Sequence, residues 1–232
     1  MHNGDYTVLI QGPLNTVSLN NIKQYKLFCK EIVISYWDTC DESILESYDL
    51  KYCKLIKNPL PDKVYFIGKP NETFTYQAYS ILHGVNAITT PYTIRTRSDE
   101  YYSNLVPLLD SFQAQFGNTI VCGNIFFKRW DDIPYHIGDH LFISNTQYLR
   151  DAYTELCFNF PMYNRAYCAE QAACWALLVS AGLEYSKENF EILFDVVDIN
   201  KLVPFVASWI HGNTTFIDEF NDPCVIRSME EL

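Results

Sequence analysis

Short apolar runs alternate with stretches of helical periodicity through the first hundred residues, and this alternation restricts the chain more than any other feature. Tyr6–Ile10 reads as a buried strand, and Gln11-Gly-Pro-Leu-Asn15 as the turn that follows it. Thr16 to Cys29 then reads as an amphipathic helix through Val17, Leu19, Ile22, Tyr25 and Phe28. Glu31–Trp37 is a second strand and Tyr52–Ile56 a third. After the proline loop Asn58–Asp62, Phe74, Ala78, Ile81, Leu82 and Val85 recur at helical spacing and predict a helix beyond Asn71. Strands that alternate with helices call for a largely parallel sheet covered on both faces. The expected fold class is therefore α/β, with residues 1–232 as one domain.

A fourth strand, Tyr92–Arg97, carries the most informative chemistry. Side chains alternate along a strand, so Tyr92, Ile94 and Thr96 share one face. Arg95, Arg97 and, if the extension continues, Asp99 share the other. In open α/β sheets ligands bind beyond the carboxyl ends of the strands, which is where this trio falls. Two guanidiniums and a carboxylate suit an anionic ligand bound with a divalent metal. The same residues also admit a plain ion pair between Arg97 and Asp99.

Composition removes several alternatives. The 232 residues are 48% hydrophobic, enough for a full core, and contain no apolar run of membrane-spanning length. Met1–Asp5 leads into the first strand without a basic region and cleavage site, so a cytoplasmic protein that is not integral to a membrane is expected. Lys and Arg number 17 against 28 Asp and Glu, and the net charge of -11 argues against nucleic acid as a partner. Eight cysteines lie scattered through apolar stretches without a CxxC pair, which predicts reduced thiols.

Further along, Asn118–Gly123 and Ile125–Phe127 read as strands, and Leu141–Ile143 is again apolar. Ala169–Ala181 reads as a helix with Gly182 as its stop, and the tail beyond Leu193 shows strand-like fragments. Asp139 is placed to orient or deprotonate an acceptor hydroxyl, or else to cap the next element. Glu170, in a helix's first turn, is a second catalytic candidate or a favourable charge at the macrodipole. Gln11, Gly12 and Pro13 can approach a nucleotide through backbone groups, although neither a Gly-rich fingerprint nor a phosphate-loop lysine is present. His211 is either a late metal ligand or a packed neighbour of Trp209. His136 and His140 would share a helical face as metal ligands, but Gly138 between them weakens the helix. No Gly-x-Ser-x-Gly elbow occurs.

Five segments together resemble one family. Val8–Leu14, Ile32–Trp37, Thr93–Asp99, Tyr135–Phe142 and Ala169–Gln171 are similar, in order, to the WavE family of lipopolysaccharide-synthesis glycosyltransferases, over roughly residues 6 to 175. The resemblance implies a GT-A-like fold that holds a nucleotide-diphospho-sugar at the strand tips over a divalent metal, Mn²⁺ or Mg²⁺. It implies Asp99 as the metal ligand, Arg97 as a phosphate or structural partner, and a glycan, lipid-linked or glycoprotein acceptor. The alternative is a non-catalytic nucleotide-sugar or carbohydrate-binding protein of the same fold. Departures from the family pattern are Arg95 where lysine is usual, Tyr36 within what is commonly a Ser-Thr-Trp run, and Ala169 where proline tends to precede the glutamate.

Overall fold

A computed structural model of the chain describes residues 3–62, 72–159, 163, 165–203, 205–207, 215–217 and 229–231. The amino-terminal half follows the alternation in the sequence. β1 (Tyr6–Gln11), β2 (Glu31–Trp37), β3 (Cys53–Asn58) and β4 (Tyr92–Arg97) are strands, with α1 (Thr16–Asn20) and α2 (Ile22–Tyr25) after β1 and α3 (Glu72–Asn86) before β4. Then come β5 (Glu100–Tyr102), α4 (Val106–Ala114), β6 (Ile120–Gly123), β7 (Leu141–Asn145), α5 (Thr146–Phe158) and α6 (Ala169–Ser180). α7 (Lys187–Leu193), β8 (Phe194–Val197), β9 (Phe205–Ala207) and β10 (Thr215–Ile217) complete the order.

Seven strands form one sheet in the order β3-β2-β1-β4-β7-β6-β8. β1 pairs in parallel with β2 and with β4, β2 with β3, and β6 with β8, whereas β7 runs antiparallel to both β4 and β6. The chain leaves β1 in one direction to build β2 and β3 and returns to its other side as β4, so the strand order reverses between β1 and β4. A small antiparallel sheet, β10-β9-β5, adjoins.

Both faces of the large sheet are covered, which is why its central strands β1 and β2 are buried along almost their whole length. Leu9, Val33 and Phe142 pack under α3, α5 and α6 with Ile81, Leu149 and Leu177. Val8, Ile10, Ile34 and Ile94 pack on the opposite side with Leu19, Tyr25 and Phe112. The periodic residues Phe74, Ala78, Ile81, Leu82 and Val85 of α3 are all buried, as their spacing predicts.

Three segments differ from expectation for identifiable reasons. The helix expected over 16–29 breaks at Asn21, whose side-chain Nδ2 donates to Val17 O at 2.7 Å and competes with the backbone ladder. Ile125–Phe127 is not a strand, because Phe126 takes a positive φ of 60° and the chain turns there. His136–His140 is an extended loop rather than a helix, so the two histidines do not share a helical face. Gly182, at φ 75°, ends α6 as expected. Among the described residues the cysteines are free thiols, and no helix is long and apolar enough to cross a membrane.

Candidate functional site

The reversal between β1 and β4 opens a crevice at their carboxyl ends, the place where an open α/β sheet leaves backbone groups and helix ends free for a ligand. It has a volume of ≈ 430 Å³. Its floor is Gln11, Gly12 and Pro13 at the end of β1 and Arg97, Ser98 and Asp99 at the end of β4, while Trp37, Tyr76, Gln77 and Ser80 form its walls. Trp37 and Tyr76 meet edge to face with centroids 5.6 Å apart.

The floor is held by hydrogen bonds that cross the sheet. Ser98 N donates to Gln11 O at 2.9 Å and Gly12 N to Ser35 O at 3.1 Å. Ser80 Oγ donates to Gln11 Oε1 at 2.8 Å, Ser35 Oγ to Ser80 O at 2.6 Å, and Asn58 Nδ2 to Ser35 Oγ at 2.8 Å. Gly12 has φ 125°, and a Cβ there would lie 2.7 Å from Ser98 Oγ, so the close approach of the two loops requires glycine.

Charge in the crevice is organised around Arg97. Its Nε donates to Asp99 Oδ1 at 2.9 Å and its Nη2 to Asp99 Oδ2 at 2.8 Å, a two-pronged bond. Glu100 Oε1 lies 3.5 Å from the same Nε. Burial opposes the charge on Arg97, but Asp99, Glu100 and Asp139 outweigh it and hold the guanidinium above its ordinary value. Glu100 is fully buried, accepts from Tyr102 Oη at 2.7 Å, and contacts His140 Nδ1. Desolvation alone would raise its carboxyl, yet His140, Arg97 and the Tyr102 hydroxyl bring it down to about 2.

Asp139 reaches the crevice from the opposite direction. Because β7 is antiparallel, the loop of residues 124–140 delivers Asp139 and His140 to the edge where β1 and β4 end. Gln77, which lines the crevice, donates from Nε2 to Asp139 Oδ2 at 2.6 Å. Burial disfavours the Asp139 anion, but Arg95 first, then His140, Gln77 and Arg97, keep its carboxyl below the ordinary value. Gly138 fixes the approach: a Cβ there would run into Gly123 O and lie 2.9 Å from Ile125 O. Gly138→Ala is expected to destabilise the chain by about 1–3 kcal/mol and to displace Asp139. A thermal melt equal to wild type would contradict this.

The expected residues therefore separate. Gln11, Gly12, Pro13, Arg97 and Asp99 line one crevice, and Asp139 stands one glutamine behind it. Arg95 needs correction: it is 0% exposed, its three guanidinium nitrogens have no hydrogen-bond partner among the described residues, and it lies 5.5 Å from the Phe142 ring centroid. Two residues deeper on β4 than Arg97, it points under the helices instead of into the crevice. Asp99 does not continue the strand either, but sits in the turn between β4 and β5. Glu170 is not among the crevice residues and faces His136, with Oε2 3.9 Å from Nε2. His140 is engaged with Glu100, so it does not pair with His136 as a metal site. His211 lies outside the described residues. Sequence reasoning missed Glu100, Gln77 and Ser80, whose partners are tens of residues away in the chain.

A divalent cation fits this crevice only in company with phosphate. Arg97 faces the carboxylates of Asp99, Glu100 and Asp139, which leaves the crevice no surplus of positive charge, so a diphosphate needs an added cation there. Asp99 offers one crevice carboxylate whose oxygens keep lone pairs beyond those Arg97 uses, which suffices for Mg²⁺ or Mn²⁺ shared with phosphate oxygens.

No protein-family model matches the chain, and no curated protein sequence matches it. Solved structures match in fold. A 4-diphosphocytidyl-2C-methyl-D-erythritol synthase from Anaerococcus prevotii is similar with a TM-score of 0.50 and 12% identity over 85% of this chain and 90% of that one. A glucose-1-phosphate thymidylyltransferase candidate from Bacillus anthracis, solved in complex with a sucrose, is similar with a TM-score of 0.51 and 8% identity over 90% of each chain. The chain thus shares with these two structures a GT-A-like, Rossmann-like α/β fold built on a mostly parallel seven-stranded sheet.

Proposed function

We propose that the chain is a nucleotide-sugar-dependent glycosyltransferase of the WavE-like kind, which moves a sugar from a nucleotide-diphosphate donor to a glycan, lipid-linked or glycoprotein acceptor. One observation carries the reading: Gln11–Pro13, Trp37, Arg97 and Asp99 converge on a crevice at the strand-order reversal. Residues 1–232 would form one catalytic domain that meets its acceptor from the cytoplasmic side.

In this reading Trp37 and Tyr76 offer aromatic surface to the nucleobase, and the backbone at Gly12 gives the donor close approach to β1. Arg97 directs a guanidinium at the diphosphate, where negative charge grows as the glycosidic bond breaks. A cation held by Asp99 and the phosphates would add to that stabilisation. Asp139 accepts the proton of the acceptor hydroxyl. A carboxylate held below its ordinary value is a weak base, which suits a late transfer from a hydroxyl already acidified by bonding to the anomeric carbon.

The burial of Asp139 behind Gln77 is the feature that favours the alternative, a binder without turnover. Calorimetry with a panel of nucleoside-diphosphate sugars and Mn²⁺ tests the donor site. Binding by at least one donor is expected, weakened about tenfold or more in Asp99→Asn; absence of binding by every donor, or binding unchanged in Asp99→Asn, would refute the reading. Donor hydrolysis measured in wild type and Asp139→Asn separates enzyme from binder, because a binder turns over in neither.

A further inference from the structure

Where residues 124–140 meet the start of α6, His136, Cys168 and Glu170 each present a ligand atom, all within 4.8 Å of one another. A buried amide sets this spacing. Gln171 Nε2 donates to Pro134 O at 2.7 Å and its Oε1 accepts from Tyr167 N at 2.7 Å, tying together the two segments that carry His136 and Cys168.

His136 supplies an independent sign that something is to be bound. It is 8% exposed, its Nδ1 is buried without a partner among the described residues, and its Nε2 stands 3.9 Å from Glu170 Oε2, beyond hydrogen-bond reach. In a neutral imidazole one nitrogen is a bare acceptor. With the proton on Nε2, the lone pair of Nδ1 has no donor; with the proton on Nδ1, the lone pair of Nε2 faces a carboxylate. The second tautomer sets a lone pair against an anion, a clash that a Lewis acid between Nε2 and Glu170 would relieve.

The ligand set selects the metal. Thiolate, imidazole and carboxylate form the mixed sulfur, nitrogen and oxygen set that zinc takes, often with three protein ligands and a water, whereas magnesium and manganese prefer oxygen. A tetrahedral zinc ion brings neighbouring ligand atoms to roughly 3.3–3.8 Å, a small closure from the spacing here. Burial and the neighbouring Glu170 carboxylate push the Cys168 thiol up to about 12, so it is the bound cation that draws its proton off.

We propose that His136, Cys168 and Glu170 hold a divalent ion of the zinc class, with water in the fourth position, which fastens residues 124–140 to α6. Cys168 releases its thiol proton to solvent on binding. Glu170 then serves as a ligand instead of a second proton acceptor, and the site needs no nucleotide.

The full chain, loaded with zinc and then dialysed, is expected to retain one zinc per chain in wild type and in a Cys40→Ser control, and to lose it in Cys168→Ser. Glu170→Gln is expected to weaken binding about tenfold or more. Cobalt in place of zinc is expected to give a thiolate charge-transfer band that disappears in Cys168→Ser. Should that variant fail to fold, alkylation of Cys168 in wild type supplies the readout, with protection by zinc expected. Wild type that retains no zinc, a cobalt spectrum without the thiolate band, or Cys168 alkylated equally with and without zinc would each overturn the proposal. None of these readouts involves the donor, so their failure leaves the transferase reading untouched.

Discussion

Glu100→Ala is expected to lower the stability of the chain by about 3–5 kcal/mol, the cost of truncating one partner of a buried charge pair. The substitution strips the buried Tyr102 hydroxyl and His140 Nδ1 of their acceptor and removes one of the anions that hold Arg97. The pH dependence has a definite sign. Glu100 is held at about 2 against an ordinary 4.5, so its contribution is fully present above pH 4.5 and is lost as the pH falls towards 2. A shift of that size corresponds to about 3 kcal/mol. Denaturant titrations of wild type and Glu100→Gln across this window should converge in acid, because the variant has no such proton to bind. Equal slopes against pH in the two proteins would contradict the assignment.

Arg97→Ala is expected to weaken donor binding by about 2 kcal/mol or more, roughly 30-fold, because in the proposed transferase the guanidinium that lines the crevice meets the donor's diphosphate. Arg97→Lys should restore only part of the affinity, since an ammonium keeps the charge but cannot reproduce the fork that now meets Asp99. Calorimetry with a nucleoside-diphosphate sugar that wild type binds is the measurement. Unchanged affinity in folded Arg97→Ala would show that the guanidinium serves only its own ion pair.

The contrast between α3 and Arg95 shows what was legible in the sequence. α3 has one buried face, and its periodicity reports that face directly. β4 is covered on both faces, so alternation assigns Arg95 and Arg97 to the same side without telling how far along the strand the cover ends. Arg97 lies beyond that limit and Arg95 within it. Glu100 stands next to Asp99 in the chain, yet its role depends on His140, 40 residues later, and on the antiparallel β7 that brings it back. Cys168 carries no pattern of its own; only the fold brings it and Glu170, two residues further on, beside His136. Short-range signals thus exposed strands, helices and the strand-tip site, while contacts made by topology stayed hidden.

The reversed course of β7 decides where the chain tolerates a change of length. The long excursion between β6 and β7 starts and finishes at the mouth of the crevice, whereas the cross-strand hydrogen bonds beneath Gln11, Ser35 and Ser80 belong to other segments. A change of length among residues 129–133 would therefore leave those floor bonds intact, whereas residues 138–140 are fixed by the close packing at Gly138, the Gln77–Asp139 bond and the His140–Glu100 pair.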